Sequence, residues 1–259
     1  MTEVIRAVQW NIGGGKIMDP ARVPPAGAPH EAYGPYDIDG LDAIISTLAQ
    51  TGGDVITLQE THTSKNYSQA AEISDALGLS YWVNDSYGES HIDPNYQLGQ
   101  AIISRFPLRR HEFRQFIDAG YKAPWATRIH NKGLTSVLAD IGSEALIETL
   151  HTVPFKAFGV DQTSAQAKPA LDDMQAKIVA RKHSLRLLQG DFNLHGETLT
   201  LLLPELFAKG FQEVPQTEAT TPWGYAYDHV LYAGFAALGS TVITGVPTDH
   251  SPIVSVFAL

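Results

Sequence analysis

The chain has 259 residues, 44% of them hydrophobic and 18% charged, which fits one large globular domain able to bury a sizeable core. A formal charge of −10 works against indiscriminate attraction to polyanions. The absence of cysteine excludes disulfides, thiolate metal sites and thiol nucleophiles, and suits a reducing cytoplasm. No apolar run approaches the roughly 20 residues of a membrane span. No basic region followed by a long apolar stretch precedes the first strand pattern, so neither an anchor nor a secretory leader is expected.

Residues 4–10 alternate in polarity and end at Asn11, the pattern of a strand running into a loop. Residues 13–37 follow with Gly13-Gly14-Gly15, Pro20, Pro24-Pro25, Pro29 and Pro35, a long irregular segment of the kind used as a functional lid; it carries Lys16, Arg22, His30, Tyr33 and Tyr36. Leu41, Ile44, Ile45 and Leu48 fall on one helical face and predict a helix over 40–51, with Asp39 as N-cap and Gly52-Gly53 as its stop. A buried strand over 55–58 ends at Gln59-Glu60, and a helix over 68–78 stops at Gly78. Strands are predicted over 79–83, 100–104 and 108–116, then a hairpin of 132–141 and 145–150 turning at Gly142-Ser143. An irregular stretch over 153–170 precedes a helix over 170–183, with Leu171, Met174 and Ile178 on one face. A strand over 185–188 leads into Gly190-Asp191-Phe192-Asn193. A helix over 197–209, a loop over 214–226 with Trp223 and Tyr225, and strands over 230–232, 240–244 and 253–257 complete the chain. The expected fold class is α/β (α+β): a four-layer α/β sandwich of two packed mixed β-sheets flanked by helices, with residues 1–259 forming a single domain.

Polar residues gather where these strands end. Asn11, Glu60, Asp191, Asn193 and Asp249 are hard oxygen donors suited to Mg²⁺ or Mn²⁺. His151 and His250 titrate near neutral pH. Strand ends of a layered protein share a rim where sites are built, and this inventory suits hydrolysis of a phosphate ester.

Seven motifs in order carry a family resemblance: Trp10-Asn11-Ile12, Leu58-Gln59-Glu60, the run Gly99 to Arg105, Leu150-His151, Gly190-Asp191-Phe192-Asn193, the run Tyr227 to Leu231, and Thr248-Asp249-His250-Ser251-Pro252. The chain resembles the endonuclease/exonuclease/phosphatase superfamily, with its DNase I-like fold. That resemblance implies that Asn11 and Glu60 hold a divalent cation with Asp249 near it. It implies that Asp191 orients or deprotonates the attacking water, and that Asn193 contacts the phosphoryl group. His250 would act in acid–base catalysis or phosphate binding, oriented by Asp228, while His151 would bind and polarise the phosphate. Two departures, Gln100 in place of Asn and Ala226-Tyr227 in place of Arg-Ile, are expected to touch the rim and bear on substrate choice.

Arg128 and Lys132 are candidate substrate contacts, as are the loop aromatics Trp125, Trp223 and Tyr225, which could stack on a base or sugar. Strand alternation assigns Asp228 to the site and His229 to packing or the surface. His62 reads as a surface side chain before a substrate contact, and His195 as a cap for the following helix. The basic run Arg105, Arg109, Arg110 and Arg114 reads as a charged, solvated edge strand. The leading expectation is a Mg²⁺- or Mn²⁺-dependent phosphoesterase acting on a small molecule or lipid head group, cytoplasmic and monomeric. The alternatives are a nuclease acting on DNA or RNA, and a silent binding protein that kept the fold.

Overall fold

The computed structural model describes residues 4–25, 28–29, 32–121 and 132–259. In chain order the elements are β1 (Val4–Asn11), β2 (Lys16–Ile17), β3 (Ile38–Asp39), α1 (Leu41–Thr51), β4 (Val55–Ser64), β5 (Tyr67–Ser68), α2 (Gln69–Leu77), β6 (Tyr81–Glu89), β7 (Gln97–Ser104), β8 (Leu108–Gln115), β9 (Gly133–Asp140) and β10 (Glu144–His151). They continue with α3 (Lys168–Val179), β11 (Arg186–Asp191), α4 (Leu199–Leu202), α5 (Pro204–Ala208), β12 (Gln212–Glu213), β13 (Asp228–Ala233), β14 (Ala236–Val242) and β15 (Ile253–Ala258).

One sheet has the order β14-β15-β1-β4-β7-β6, with β5 attached to β4; the other runs β12-β13-β11-β10-β9-β8. Each holds a single parallel pair among the described residues, β1 with β4 and β10 with β11. A parallel pair needs a crossover, here through α1 and α3 respectively. The crossover sets the carboxyl ends of the paired strands side by side. Asn11 therefore lies opposite Gln59, and His151 opposite Asp191. The antiparallel partner β13 begins where β11 ends, which puts Asp228 beside Asp191. β15 is antiparallel to β1, so the segment leading into it, residues 248–252, comes to the same rim.

Three apolar clusters separate four layers. Ile44, Leu48 and Ile73 of the first two helices pack on Val8, Trp10, Ile56, Leu58, Ala101 and Ile103. Ile5, Val55, Ile102 and Phe257 meet Val137, Ile147, Leu187 and Val230 between the sheets. Leu171, Met174, Ile178 and Leu206 cover Leu150, Leu188 and Leu231 on the far side. The fold is the expected four-layer sandwich. Towards this rim the space between the sheets turns polar. Gln9 donates to Gln59 (2.6 Å), Gln59 to Thr149 (2.8 Å) and Gln189 to Thr57 (3.2 Å). The first lies within one sheet and orients Gln59; the other two bind sheet to sheet where apolar packing stops.

Several boundaries differ from the sequence expectation. Asp39 is not the cap of α1; the cap position is Gly40, while Asp39 pairs with Lys16 across β2 and β3. The helix expected over 197–209 is two short ones, because Pro204 cannot continue the first. The strand expected over 79–83 starts at Tyr81 and runs to Glu89, since β7 pairs with it as far as Gln97. The segment 13–37 is only partly irregular. Gly13-Gly14-Gly15 is a buried turn with positive φ throughout, and Lys16 and Ile17 return to pair with β3. A side chain at Gly14 would collide with His62.

Candidate active site

Asp228 is fully buried at the start of β13. One of its carboxylate oxygens accepts from Gln9 Nε2 at 2.9 Å, and the other lies 2.6 Å from His250 Nδ1. Burial works against a charge on His250, but the charge and hydrogen bond of Asp228, followed by Asp191 and Asp249, outweigh it. The imidazole is therefore held well above its ordinary pKa. With Nδ1 committed to Asp228, Nε2 faces Asp191 Oδ2 at 3.9 Å. Trp10 Nε1 and Thr248 Oγ1 both donate to the His250 carbonyl, at 2.8 and 2.6 Å, and fix the backbone of the turn.

Asp191 closes β11. It accepts from Asn11 Nδ2 (3.0 Å) and from the Asn193 amide (2.9 Å), and it lies 3.3 Å from His151 Nε2. Burial raises the Asp191 pKa, yet His151, His250 and Lys132 together carry it far below the ordinary carboxylate range. Asn193 occupies the left-handed region at φ 51°, which an Asn tolerates, and its side-chain amide donates to Thr152 O at 3.1 Å. Two residues past Asp191, this turn presents the amide of Asn193 back to the carboxylate.

His151 sits between a cation and a phenol. Lys132 Nζ is 2.5 Å from Nε2, and Tyr87 Oη is 3.0 Å from Nδ1. An ammonium can only donate, so Nε2 is the acceptor and the ring proton lies on Nδ1, directed at Tyr87. Burial, then the neighbouring Lys132 charge, pushes the His151 pKa down, against the pull of Asp191 and Glu60. Burial also lowers the pKa of Lys132, against the pull of Glu60 and Asp191.

Asn11, Glu60 and Asp249 form the other corner. Glu60 lies in a bulge between Gln59 and Thr61 and has φ 56°. A bulge re-aims one side chain out of the strand's alternation, here out of the sheet and into the rim. Its carboxylate lies 3.8 Å from His151 Nε2. Burial raises its pKa, but His151, His91, Lys132 and His250 together outweigh that and keep it low. Asp249 contrasts with it: desolvation pushes its pKa up to about 6, and its Oδ1 is buried without a hydrogen-bond partner. That oxygen would lie 3.2 Å from a Cβ at Gly13, so the glycine turn keeps the corner open. Two carboxylates and an amide oxygen make a donor set suited to a hard divalent cation, and the orphaned oxygen supplies a vacant ligand. Asp191, Asp228 and His250 also lie close enough to share an ion, each offering an atom within 4.8 Å of the others. Asp228 and His250 already bond each other, however, and a protonated imidazole cannot ligate a metal. The Glu60 and Asp249 corner fits a cation better.

Of the expected substrate contacts, Lys132 is buried against His151. Arg128 and Trp125 lie outside the described residues. Trp223 meets the Tyr33 ring edge-on at 5.7 Å. Tyr225 is held between His195 (4.6 Å between ring centres) and Lys156, whose Nζ lies 3.5 Å over the ring. His195 does not cap a helix; its Nδ1 accepts from the Ala226 amide at 3.1 Å. His62 is buried rather than at the surface, 2.7 Å from Ser90 Oγ and stacked on Tyr96. His229 turns away from the site to Glu213, at 2.6 Å. Gln100 is not on the rim. It is fully buried between the sheets and directs its amide nitrogen at Gly133 O, Thr135 Oγ1 and Thr149 O, bracing the strand ends that carry Lys132 and His151. Arg109 and Arg114 pair with Asp140 and Glu112 along β8, an edge strand.

Two contributors escaped the sequence reading, Gln9 and Tyr87. Gln9 had a signal: it continues the inward series Ile5, Ala7 as a polar residue at a core position. Tyr87 had none.

A sequence model of the endonuclease/exonuclease/phosphatase family matches residues 8–250. No curated protein matches the chain. Among solved structures, an endonuclease/exonuclease/phosphatase from Beutenbergia cavernae DSM 12333 is similar at a TM-score of 0.76 and 14% identity, over 99% of this chain and 72% of that one. D. rerio TDP2, complexed with a single strand DNA product, gives 0.65 at 14% identity, over 98% of each chain. ANGEL2, described as a 2',3'-cyclic phosphatase and complexed with adenosine-2',3'-vanadate, gives 0.64 at 12% identity, over 100% of this chain and 96% of that one. At these identities the likeness is one of fold.

Proposed function

Because the chain belongs to the endonuclease/exonuclease/phosphatase family, we propose that it hydrolyses a phosphate ester with a divalent cation, Mg²⁺ or Mn²⁺, bound at Glu60, Asp249 and Asn11. The observation that carries this reading is the convergence on one rim of a complete acid–base set, Asp228–His250 beside Asp191, with a carboxylate corner whose Asp249 oxygen has no partner. The cation would polarise the phosphoryl oxygens and offset charge that builds on them.

The protein's own groups have distinct parts. Asp191, ionised and gripped by Asn11 and the Asn193 amide, accepts a hydrogen bond from the attacking water and fixes it in line. So strong an acid is a weak base at rest, so its first part is orientation. His250 carries a proton on Nε2 and donates it towards the phosphoryl group, while Asp228 holds the tautomer and stabilises the cationic ring. Lys132 brings a positive charge behind His151, against a phosphate already bearing negative charge. Asn193 borders the same space.

The net charge of −10 favours a small ester or lipid head group over a long polyanion. A nucleotide or nucleic-acid substrate is the second reading, favoured by the nucleic-acid and adenosine-based ligands bound by the two structural relatives above. No helix among the described residues is long and apolar enough to cross a membrane. We read the enzyme as a single domain acting as a monomer, and the missing cysteine fits the cytoplasm. The test is a panel in Mg²⁺ and in Mn²⁺: bis-p-nitrophenyl phosphate, p-nitrophenyl phosphate, inositol phosphates, sphingomyelin, plasmid DNA and single-stranded RNA. EDTA-sensitive turnover of the small esters supports the reading. Turnover of DNA or RNA alone moves it to a nuclease, and no turnover of any of them sinks it.

A further inference from the structure

We infer that Tyr36 contacts the substrate, its phenol donating a hydrogen bond to a phosphoryl oxygen held in front of Asp249. The segment over 32–36 then forms a wall of the active site. The inference rests on the phosphoesterase reading and adds to it a specificity residue from the segment that follows β1.

The segment is fastened on two sides of the site. The Met18 amide donates to Pro247 O at 2.8 Å, two residues before Asp249, and the Gly34 amide in turn donates to Met18 Sδ at 3.3 Å. Tyr33 Oη donates to Pro222 O at 2.9 Å and lies 3.2 Å from Pro25 O, while its ring packs against Trp223. Both sides of the Tyr33 hydroxyl are occupied, so Tyr33 is a clasp that joins this segment to the loop over 214–226.

Tyr36, three residues on, differs. Its hydroxyl is buried and has no hydrogen-bond partner. A buried Tyr hydroxyl ordinarily has one. Burial and then the nearby Asp249 charge disfavour phenolate, so the group keeps its proton and has it to give. Asp249 Oδ1 is also buried and unpartnered, and the two groups do not bond each other. One is a donor without an acceptor; the other is a carboxylate oxygen without a donor. A phosphoryl group arriving with a divalent cation satisfies both, offering an oxygen to Tyr36 and positive charge to Asp249.

The test compares the parent with Tyr36→Phe, using inorganic phosphate as the probe in saturating Mg²⁺. Affinity is read by calorimetry and melting temperature is measured without phosphate. The Phe variant should bind phosphate about 10- to 100-fold more weakly, as expected for a lost hydrogen bond to a charged group. Its melting temperature should stay unchanged or rise, because the substitution removes a buried hydroxyl that had no partner. Tyr33→Phe, which breaks the clasp, should lower the melting temperature. Equal phosphate affinity in the parent and Tyr36→Phe overturns the assignment, and so does a loss of affinity accompanied by a fall in melting temperature, which marks the phenol as structural. A parent that binds no phosphate in Mg²⁺ overturns the phosphoesterase reading along with it, whereas intact parental binding confines any failure to Tyr36.

Discussion

Asp228 and Asp249 lie at opposite corners of one site and are treated in opposite ways. Asp228 is buried with a partner for each oxygen, Gln9 on one and His250 on the other. Asp249 is desolvated with one oxygen left bare, and its pKa rises to about 6. The acid–base corner is complete before any ligand arrives. The other corner keeps a bare oxygen that a bound cation would satisfy. A buried carboxylate oxygen without a partner is costly, and its place beside the converging strand ends supports the cation site proposed above.

The largest effects should come from breaking the complete corner. Asp191→Ala or His250→Ala should cut turnover roughly 10²–10⁴-fold, measured on whichever small ester the panel identifies. Unchanged rates in both would refute the assignment. Asp228→Asn keeps the shape but removes the charge that holds His250 protonated. Its turnover should fall, and the alkaline limb of its pH–rate profile should move to lower pH. A limb that stays in place would separate Asp228 from the titration of His250.

Next come changes at the incomplete corner. Glu60→Gln should weaken the Mg²⁺ dependence of activity at least about tenfold, the scale seen even when a group behind a ligand is lost. An identical Mg²⁺ titration would remove Glu60 from the ligand set. Asp249→Asn should do likewise and also change stability in EDTA. The folded protein holds the Asp249 proton more tightly than the unfolded chain, whose ordinary value is 3.8. Its contribution is therefore fully present below about pH 4 and lost as pH rises through about 6. In EDTA, the stability of the parent relative to Asp249→Asn should fall across that window, and Mg²⁺ should restore it. Parallel denaturation curves for the two proteins would show that Asp249 carries no such strain.

The smallest effect serves as a control outside both corners. Burial lowers the pKa of His229, but Glu213 more than reverses this through its hydrogen bond and charge. The pair stabilises the fold fully below the ordinary histidine value of 6.5, and that stability is lost as pH rises through the raised one. Glu213→Gln should cost about 1 kcal/mol at pH 6 and less at pH 9, seen in urea denaturation, with turnover unaffected. A pH-independent loss would mean that the pair does not titrate as described.

The sequence showed the ends of the strands more clearly than it showed what joins them. Asn11, Glu60, His151, Asp191, Asp228 and His250 each follow or begin an apolar run, so their common rim could be read from where those runs end. The brace Gln9–Asp228, the partner Tyr87 and the interior position of Gln100 depend on how two sheets face each other, and no local pattern reports that. Glu60 reaches the site only through a bulge with φ 56°, which alternation does not anticipate. Gly13-Gly14-Gly15 signalled a loop, but that Asp249 and His62 press against it is a tertiary fact. The Asp39 cap failed because a two-residue strand claimed that position first.

The most direct test of the central claim is a Mn²⁺ titration of EDTA-stripped protein, with binding read by calorimetry and hydrolysis of bis-p-nitrophenyl phosphate followed in parallel. The structure predicts a saturable site whose occupancy tracks the rise in turnover and whose affinity collapses in the Glu60→Gln/Asp249→Asn double variant. Hydrolysis that survives EDTA, or Mn²⁺ binding unchanged in the double variant, would contradict it.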